Sequence, residues 1–492
     1  MRLSTTVVVL ASAAMVVAAA AESQPPDIVA RELSRVTATV TSLGVKYGEQ
    51  IWPGFRPDTI PVAFVLPERG TLLVGWRGAL PSGFVPVAGH AGSGWREERA
   101  LGAASTGTEI SGRRVAQVVV SALDPVALVP LVFHEAFHAF EAASRRPGGK
   151  FGAGENSALV SSYPVFDADN ETLFALEGRI LAAAMNATST TRRRELAQQF
   201  VGVRRARHRA LPAEMASFDA ASELNEGLAE YALVRALMLM GAAGEAVNRE
   251  ANRRLQERKG ALENLTGNTN LSLRLRFYQT GPAIALLLDE LAGPRWKARL
   301  VAENMTLQDM LASVTGVDAV AESARARAGR TFDLARARSE AKQGIARLQA
   351  QRRAEVDSIL AMPGIRLVVL SDSLPTRNFN FCGFDPQNTL QVTPTVQLQT
   401  RWWRPCSGGP TYAEFNVPSV YDSVAGTLSA VIGEESEVVL TSDGQAVTLR
   451  DGGRLVNLTK FKLAAPRASV DAVRADVWRE GKTIFVRAKT AG

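Results

Sequence analysis

The segment Leu131–Glu141, Leu-Val-Phe-His-Glu-Ala-Phe-His-Ala-Phe-Glu, restricts the fold of this 492-residue chain more than any other segment. It contains His134 and His138, two of only four histidines in the chain, and Glu135 directly follows the first. Residues four positions apart lie on one face of an α-helix, so both imidazoles can reach one metal ion. Neutral imidazole suits zinc, and a catalytic zinc ion keeps three protein ligands and a water molecule. We therefore predict a helix that carries a zinc site.

The alternative is an amphipathic core helix with two buried, hydrogen-bonded histidines. It leaves Glu135 unexplained, because a core rarely needs an acid at that position. The helix should begin at Asp124-Pro125, an N-cap followed by proline at the first helical position, and continue through Ser144. Pro130 predicts a kink or a restart, because an interior proline removes one backbone hydrogen bond.

The N-terminal segment Met1–Ala21 is typical of a cleavable signal peptide, since Arg2 precedes an apolar run that ends in small residues. We therefore expect a secreted or periplasmic protein. No later segment is apolar for long enough to predict a transmembrane anchor. The composition, with 46% apolar and 21% charged residues, allows a sizeable core, and the net charge of +7 identifies no partner.

The order of the predicted elements indicates an α+β fold. A helical pattern at Asp27–Gln50 is followed by β-like runs at Ile60–Leu66, Thr71–Trp76 and Arg113–Ala122. Helical patterns then dominate, including Glu214–Met240, Leu271–Ala292 and Arg325–Leu360. Strand patterns follow at Ile365–Ser371, Thr389–Thr400, Gly426–Ile432, Glu437–Thr441 and Thr483–Ala488. We expect an N-terminal α/β part with a mixed sheet at 22–123, a mainly helical domain at 124–361 and a small β-rich domain at 364–492.

Two features of the C-terminal part leave alternatives open. The two cysteines of the chain, Cys382 and Cys406, favour a disulfide over two free thiols because the protein is expected to be exported. The pair Trp402-Trp403 is either a binding surface or part of the core, and core packing is favoured.

A basic segment between Arg192 and Arg209 contains seven arginines and one acid, Glu195. It is either a patch for anions or nucleic acid or a solvated helix face. No aromatic side chains are interleaved as stacking platforms, so the solvated face is favoured and no specific nucleic-acid partner is expected. The chain also lacks a Gly-x-Ser-x-Gly nucleophile motif and a phosphate-binding glycine loop.

The third zinc ligand is expected at Glu226, within Leu-Asn-Glu-Gly-Leu-Ala-Glu-Tyr at 224–231. Together with the histidine motif, this sequence resembles the gluzincin metallopeptidases of the aminopeptidase-N and thermolysin-like type. The resemblance implies that Glu226 ligates zinc from a later helix, and that Glu230 orients a ligand histidine. It also implies that Tyr278, in Tyr-Gln-Thr-Gly at 278–281, donates a hydrogen bond to the oxyanion. The other acids considered as ligands are Glu171, Glu177 and Glu223.

The chain departs from that family in three respects. The 88 positions between His138 and Glu226 are far more than in the aminopeptidases, which predicts an inserted helical arm at 145–211. Gly-Ala-Gly-Glu-Asn at 152–156 is similar to the loop that holds a substrate's amino terminus in aminopeptidases. It follows the zinc helix instead of preceding it and lacks the methionine, so we regard it as a coincidence that does not support exopeptidase activity. The resemblance covers about residues 110–315 only.

The resemblance implies an exported zinc metallopeptidase with a thermolysin-like mixed sheet and a helical catalytic subdomain. One zinc ion held by His134, His138 and Glu226 would activate water, with Glu135 as general base, to cleave a peptide or protein substrate. Two alternatives remain: hydrolysis of an ester or epoxide on the same scaffold, and a binding protein in which zinc is structural. The sequence does not predict the oligomeric state.

Overall fold

The computed structural model describes residues 25–489 except 26, 68, 98–103, 242–244, 266–272, 372–378, 386–387 and 407–411. The predicted signal peptide therefore lies outside the described residues. The fold is α+β, as predicted, with helices in the middle of the chain and a β-rich C-terminal part.

The N-terminal part combines helix α1 (Asp27–Ile51) with a mixed sheet. The strands of this sheet are β1 (Val62–Leu66), β2 (Gly70–Val74), β3 (Val85–Pro86), β4 (Gly94–Arg96), β5 (Thr106–Ile110) and β6 (Arg113–Val119). Their spatial order is β3-β4-β2-β1-β6-β5, and only β1 and β6 pair in parallel. Strand β5 therefore lies at an edge of the sheet. Helix α1 and strands β1, β2 and β6 lie near their predicted positions.

The middle of the chain is helical. Its α-helices are α2 (Pro125–Ser144), α3 (Ala168–Asn186), α4 (Thr190–Ala210), α5 (Ala213–Ser222), α6 (Leu228–Gly241), α7 (Glu245–Glu263), α8 (Leu273–Ala292), α9 (Arg295–Ala302), α10 (Leu307–Thr315), α11 (Ala321–Thr331) and α12 (Leu334–Leu360). A π-helical turn, Glu223–Gly227, joins α5 to α6 where one continuous helix was predicted. A second predicted helix is broken between α11 and α12, where Asp333 has a φ of 50° and caps α12.

Helix α2 has the predicted bounds. The carboxylate of Asp124 caps it by accepting a hydrogen bond from the Val126 amide at 3.0 Å, and Pro130 lies inside the helix without ending it. By length and composition alone α2 could cross a membrane, contrary to the prediction that no later segment could. However, 61% of its most apolar window is buried inside the protein, as in the core helix of a soluble domain.

Helices α3 and α4, which form most of the segment expected as an inserted arm, pack into the main core. Phe174 of α3 and Phe200 of α4 are fully buried in the same cluster as Phe133 and Phe137 of α2. The expectation of a solvated basic face is wrong for Arg204 and Arg207. Both are fully buried, because this side of α4 faces the carboxylates of α3 and α5.

The C-terminal part is one branched sheet. Its strands are β7 (Arg366–Leu370), β8 (Asn380–Phe384), β9 (Thr389–Gln391), β10 (Val396–Gln399), β11 (Trp403–Cys406), β12 (Tyr412–Phe415), β13 (Ser419–Asp422), β14 (Thr427–Val431), β15 (Val439–Ser442), β16 (Gln445–Ala446), β17 (Arg454–Ala465), β18 (Ala468–Glu480) and β19 (Thr483–Lys489). The predicted strand at 389–400 is a hairpin of β9 and β10, and the long hairpin of β17 and β18 was not predicted.

The predicted disulfide between Cys382 and Cys406 is present and joins β8 to β11. Core packing is confirmed for Trp403, which is fully buried, whereas Trp402 is only half-buried. The β-rich part packs on the end of α12, where Ile359 joins a small apolar cluster with Leu398. Next to this cluster, the buried guanidinium of Arg352 donates to the carbonyl of Gln391.

The buried ion pairs of α4 give a test of this packing. Arg204 donates to Glu177 at 2.6 Å and to both oxygens of Glu223 at 2.9 and 3.0 Å, with no side-chain exposure. Arg204→Ala would leave two buried carboxylates without this partner, so we expect a loss of about 3–5 kcal/mol in the free energy of unfolding. Arg205→Ala removes a pair with the exposed Asp318 and should cost about 1 kcal/mol or less. Urea denaturation of both variants measures the difference, and equal losses would contradict it.

Candidate metal centre

The Nε2 atoms of the two histidines of α2, His134 and His138, face each other. These atoms are 3.1 Å apart, and both rings are largely buried. The preceding residues Phe133 and Phe137 lie about 100° around the helix from the histidines, and both rings pack edge-on against Phe55. The helix is thus fixed by an aromatic core on one face and presents its histidines on an adjacent one.

Glu226 is brought to the histidines by the π-helical turn. Its Oε2 atom lies 3.6 Å from Nε2 of His134 and 3.4 Å from Nε2 of His138. Bonds of about 2.1 Å in a tetrahedral zinc site place any two ligand atoms roughly 3.4 Å apart. The three atoms therefore form a triangle of the size that tetrahedral zinc coordination would need.

Each histidine also has a carboxylate on its other nitrogen. Nδ1 of His134 lies 3.0 Å from Glu230 Oε2, and Nδ1 of His138 lies 3.6 Å from Glu141 Oε2. Such acids fix the ring orientation and the tautomer of metal-binding histidines. Glu230 was predicted in this position, but Glu141 was not. The signal for Glu141 was its spacing, because a residue three positions after His138 lies on the same helix face.

The charges in this cluster perturb each other strongly. Burial lowers the pKa of both imidazoles, but the adjacent carboxylates outweigh it and raise the pKa of His134 to about 9. Burial raises the pKa of Glu226, but His138 and Arg274 lower it well below its usual range. The carboxylates thus favour positive charge at the Nε2 atoms of the two histidines. Protons or a divalent cation can supply that charge.

Arg274 and Arg258, which were not predicted as site residues, hold the two acids from behind. Arg274 donates to Oε1 of Glu226 and also to Glu155, while Arg258 donates to Oε1 of Glu230. Oε2 of Glu226 has no hydrogen-bond partner among the described residues although it is buried. This arrangement leaves one oxygen of Glu226 directed at the histidines, as a ligand atom requires.

Glu135 is buried next to the two histidines and lines the cleft above them. Its Oε2 atom forms no hydrogen bond with any described residue. Burial raises the pKa of its carboxyl group, although the two histidines oppose this effect. A carboxylate with a raised pKa accepts a proton more readily near neutral pH than an exposed one does.

Tyr278 packs against the ring of His134. Its ring stacks on the imidazole of His134, with centroids 5.8 Å apart and planes inclined by 17°. Burial and the nearby Glu226 carboxylate raise the pKa of Tyr278, so the phenol keeps its proton at neutral pH. Tyr278 lines the cleft and is not part of the core around Leu286 and Leu287.

The two sequence motifs after the zinc helix meet at their glycines. A methyl group on Gly281 would lie 2.4 Å from the Cα atom of Gly227, so only glycine allows this contact. The contact brings α8 against the π-helical turn and sets Tyr278 beside Glu226. Thr280 strengthens the crossing by donating to Glu223 at 2.5 Å.

The remaining acids considered as ligands are engaged elsewhere. Glu171 pairs with Arg276, Glu177 with Arg204 and Arg207, and Glu223 with Arg204. The histidines outside the motif also have other partners, since His90 hydrogen-bonds to Ser34 and His208 to Asp219.

A cleft of about 720 Å³ opens above the cluster. One wall is the edge strand β5 with Thr106 and Gly107, and another is the loop at 152–154. The sequence 152–156, which was regarded as a coincidence, therefore lies at the site. Its Glu155 is bound to Arg274, behind the proposed ligand Glu226.

The glycine contact gives a prediction about the site. Gly281→Ala should displace the π-helical turn, because the new methyl group has no space against Gly227. We expect weaker zinc binding, by about tenfold or more, and lower thermal stability. The control is Gly260→Ala in α7, where nothing lies within 4 Å and alanine favours the helix by about 1 kcal/mol. Zinc titration by calorimetry compares the two variants, and unchanged affinity in Gly281→Ala would show that the contact does not position Glu226.

No protein-family profile, curated protein or solved structure matches the chain.

Proposed function

We propose that the protein is a zinc-dependent peptidase that uses His134, His138 and Glu226 as metal ligands. The observation that carries this proposal is the triangle of three buried ligand atoms, with sides of 3.1 to 3.6 Å, at the base of an open cleft. A set of two histidines and one glutamate is typical of catalytic zinc, whereas structural zinc sites usually contain cysteine. The thermolysin-like arrangement expected from sequence is part of the same proposal.

Zinc at this position would supply Lewis acidity and lower the pKa of a coordinated water molecule from about 15.7 to near 7. Glu135 lines this cleft, and one of its carboxylate oxygens bonds no described residue, so it can accept the proton of the attacking water. The same residue can then deliver that proton to the leaving amine. Tyr278 keeps its phenol proton and can donate a hydrogen bond to the oxyanion that develops on the substrate carbonyl.

The edge strand β5 favours a peptide over an ester or epoxide substrate. Among the described residues, β5 pairs only with β6, so its second backbone edge is available for another strand. Gly107 lies directly on α2, where an added methyl group would meet Cβ of His138 at 2.8 Å. An extended peptide that pairs with β5 would therefore run past the metal ligands, with main-chain hydrogen bonds supplying affinity.

Secretion or export to the periplasm is proposed from Met1–Ala21 alone. The disulfide between Cys382 and Cys406 is compatible with that location, since disulfides persist in oxidising compartments.

Variants of two nearby residues of α2 should distinguish the loss of metal binding from the loss of catalysis alone. Glu135→Gln should keep zinc and lose nearly all peptidase activity, because the amide has a similar shape but cannot accept the proton. His138→Ala should lose zinc as well as activity, since one of three ligand atoms is gone. Elemental analysis and cleavage of quenched peptides measure both properties. Near-normal turnover in Glu135→Gln, or wild-type protein that binds no zinc, would refute the proposed mechanism.

Tyr278 provides a second test of the chemistry. Tyr278→Phe removes one oxyanion donor and retains the ring that stacks on His134, so zinc content and melting temperature should stay close to the wild-type values. We expect kcat to fall about 100- to 1000-fold with little change in KM. Tyr163→Phe is a matched control, because this buried hydroxyl bonds Arg207 and Asp219 away from the cleft. It should lower stability and preserve kcat per folded molecule. A kcat within a few-fold of wild type in Tyr278→Phe would remove the tyrosine from the mechanism.

A further inference from the structure

The β-rich part of the chain forms one wall of the catalytic cleft. Four of its residues line the cleft together with the metal ligands: Phe384, Asp385, Arg401 and Trp402. They come from the end of β8 and from the connection between β10 and β11. The cleft is therefore shared between the metal-binding helices and the C-terminal sheet.

This wall is held in place by several contacts. The disulfide joins β8 to β11, and Phe384 pairs with Trp403 in the register of these strands. The indole nitrogen of Trp402 donates to Glu414 at 2.7 Å, and its ring covers Gly383, where an added methyl group would meet the ring at 2.5 Å. The ring of Trp402 is thus fixed before any ligand binds, with the guanidinium of Arg404 5.9 Å from its centroid, and it lines the cleft together with Arg401.

The sheet as a whole is fixed to the helices near the cleft. Strand β9 contacts the 3-10 helix Ser157–Ser161, which directly follows the cleft loop at 152–156. The bond from Arg352 to the Gln391 carbonyl and the apolar cluster around Leu398 anchor the same region. The cleft wall that the C-terminal sheet forms is therefore attached to the helical part by packing contacts.

Arg401 is the cation of this wall. Its side chain is exposed, and within the described part of the chain it has no ion pair and no hydrogen bond. The other arginine that lines the cleft, Arg274, is occupied by Glu155 and Glu226. A guanidinium binds a carboxylate in a planar, bidentate manner, so Arg401, unpaired among the described residues, can accept a carboxylate that enters the cleft.

We propose that the β-rich part supplies a specificity subsite in which Arg401 binds a carboxylate of the substrate beside the ring of Trp402. This assignment rests on the proposed peptidase function and names its substrate class, peptides that carry an anionic group near the cleaved bond. The group is either an Asp or Glu side chain or a free C-terminal carboxylate, and both present the same chemistry to the guanidinium.

The test compares cleavage of defined peptide pairs by the zinc-loaded full chain. In the first set, the two peptides of each pair carry Glu or Gln at one position near the cleaved bond, and each position is tested in turn. In the second set, the two peptides differ only in having a free or an amidated C terminus. Wild-type protein should prefer the anionic member of at least one pair by about 10- to 100-fold in kcat/KM, mainly through KM. The pair that shows the preference identifies the source of the carboxylate.

Variants at Arg401 then assign the preference to this side chain. Arg401→Ala should abolish the preference and Arg401→Glu should reverse it, with cleavage of the neutral peptides changed less than a few-fold. Arg467→Ala is the control, because Arg467 is exposed on the same sheet in the turn between β17 and β18 and does not line the cleft. An active wild-type protein without acidic preference, or one whose preference survives in Arg401→Glu, overturns the subsite and leaves the peptidase function intact.

If the wild-type protein cleaves no peptide, a binding experiment can still test the carboxylate subsite. Calorimetry with hydroxamates that carry a carboxylate arm, or the corresponding amide, measures the same discrimination without turnover. Tighter binding of the carboxylate series by about tenfold, lost in Arg401→Ala, supports the anionic subsite while the peptidase function fails. Equal affinities, or no binding of either series, overturn the subsite.

Discussion

The structure around α2 depends on a surplus of buried negative charge. Glu135, Glu141, Glu226 and Glu230 are buried within one cluster, and the arginines that pair with these acids in the described part of the chain are Arg258 and Arg274. Buried carboxylates are costly unless positive charge balances them. The imidazoles respond by binding protons more tightly. A divalent cation would balance the same charge more effectively, because it contacts three ligand atoms at once.

Local sequence signals were sufficient to predict helix α2 and the approach of its two histidines to each other. The cap at Asp124 and the spacing of His134 and His138 depend on contacts within a few residues, and α2 has the bounds they predicted. Glu226 and Tyr278 were placed by resemblance to a family, and the structure brings both to the histidines. Their roles in catalysis remain predictions.

Other parts of the site depend on contacts between distant segments, which no local pattern contains. The contact of Gly227 with Gly281 and the bonds from Arg274 to Glu155 and Glu226 join segments far apart in sequence. The hairpin of β17 and β18 was missed because many of its outward positions are polar or charged, so the apolar alternation is weak. Trp402 and Trp403 were assigned one role as a pair, yet neighbouring residues of an extended chain face opposite sides, and they differ in burial.

The π-helical turn also fixes the rotation of one helix segment relative to the next. One residue adds about 100° of rotation in a helix, so the extra residue of a π-helical turn changes which side chains share a face. The segment before the turn is held by the pair of Asp219 with Arg207, and the segment after it by the bond from Tyr231 to Asp289. Neither segment can rotate freely to absorb a change in length. Deleting one of residues 223–225 would therefore either break one of these anchoring contacts or turn Glu226 away from the histidines, and His134, His138 and Glu226 could then no longer meet at one point.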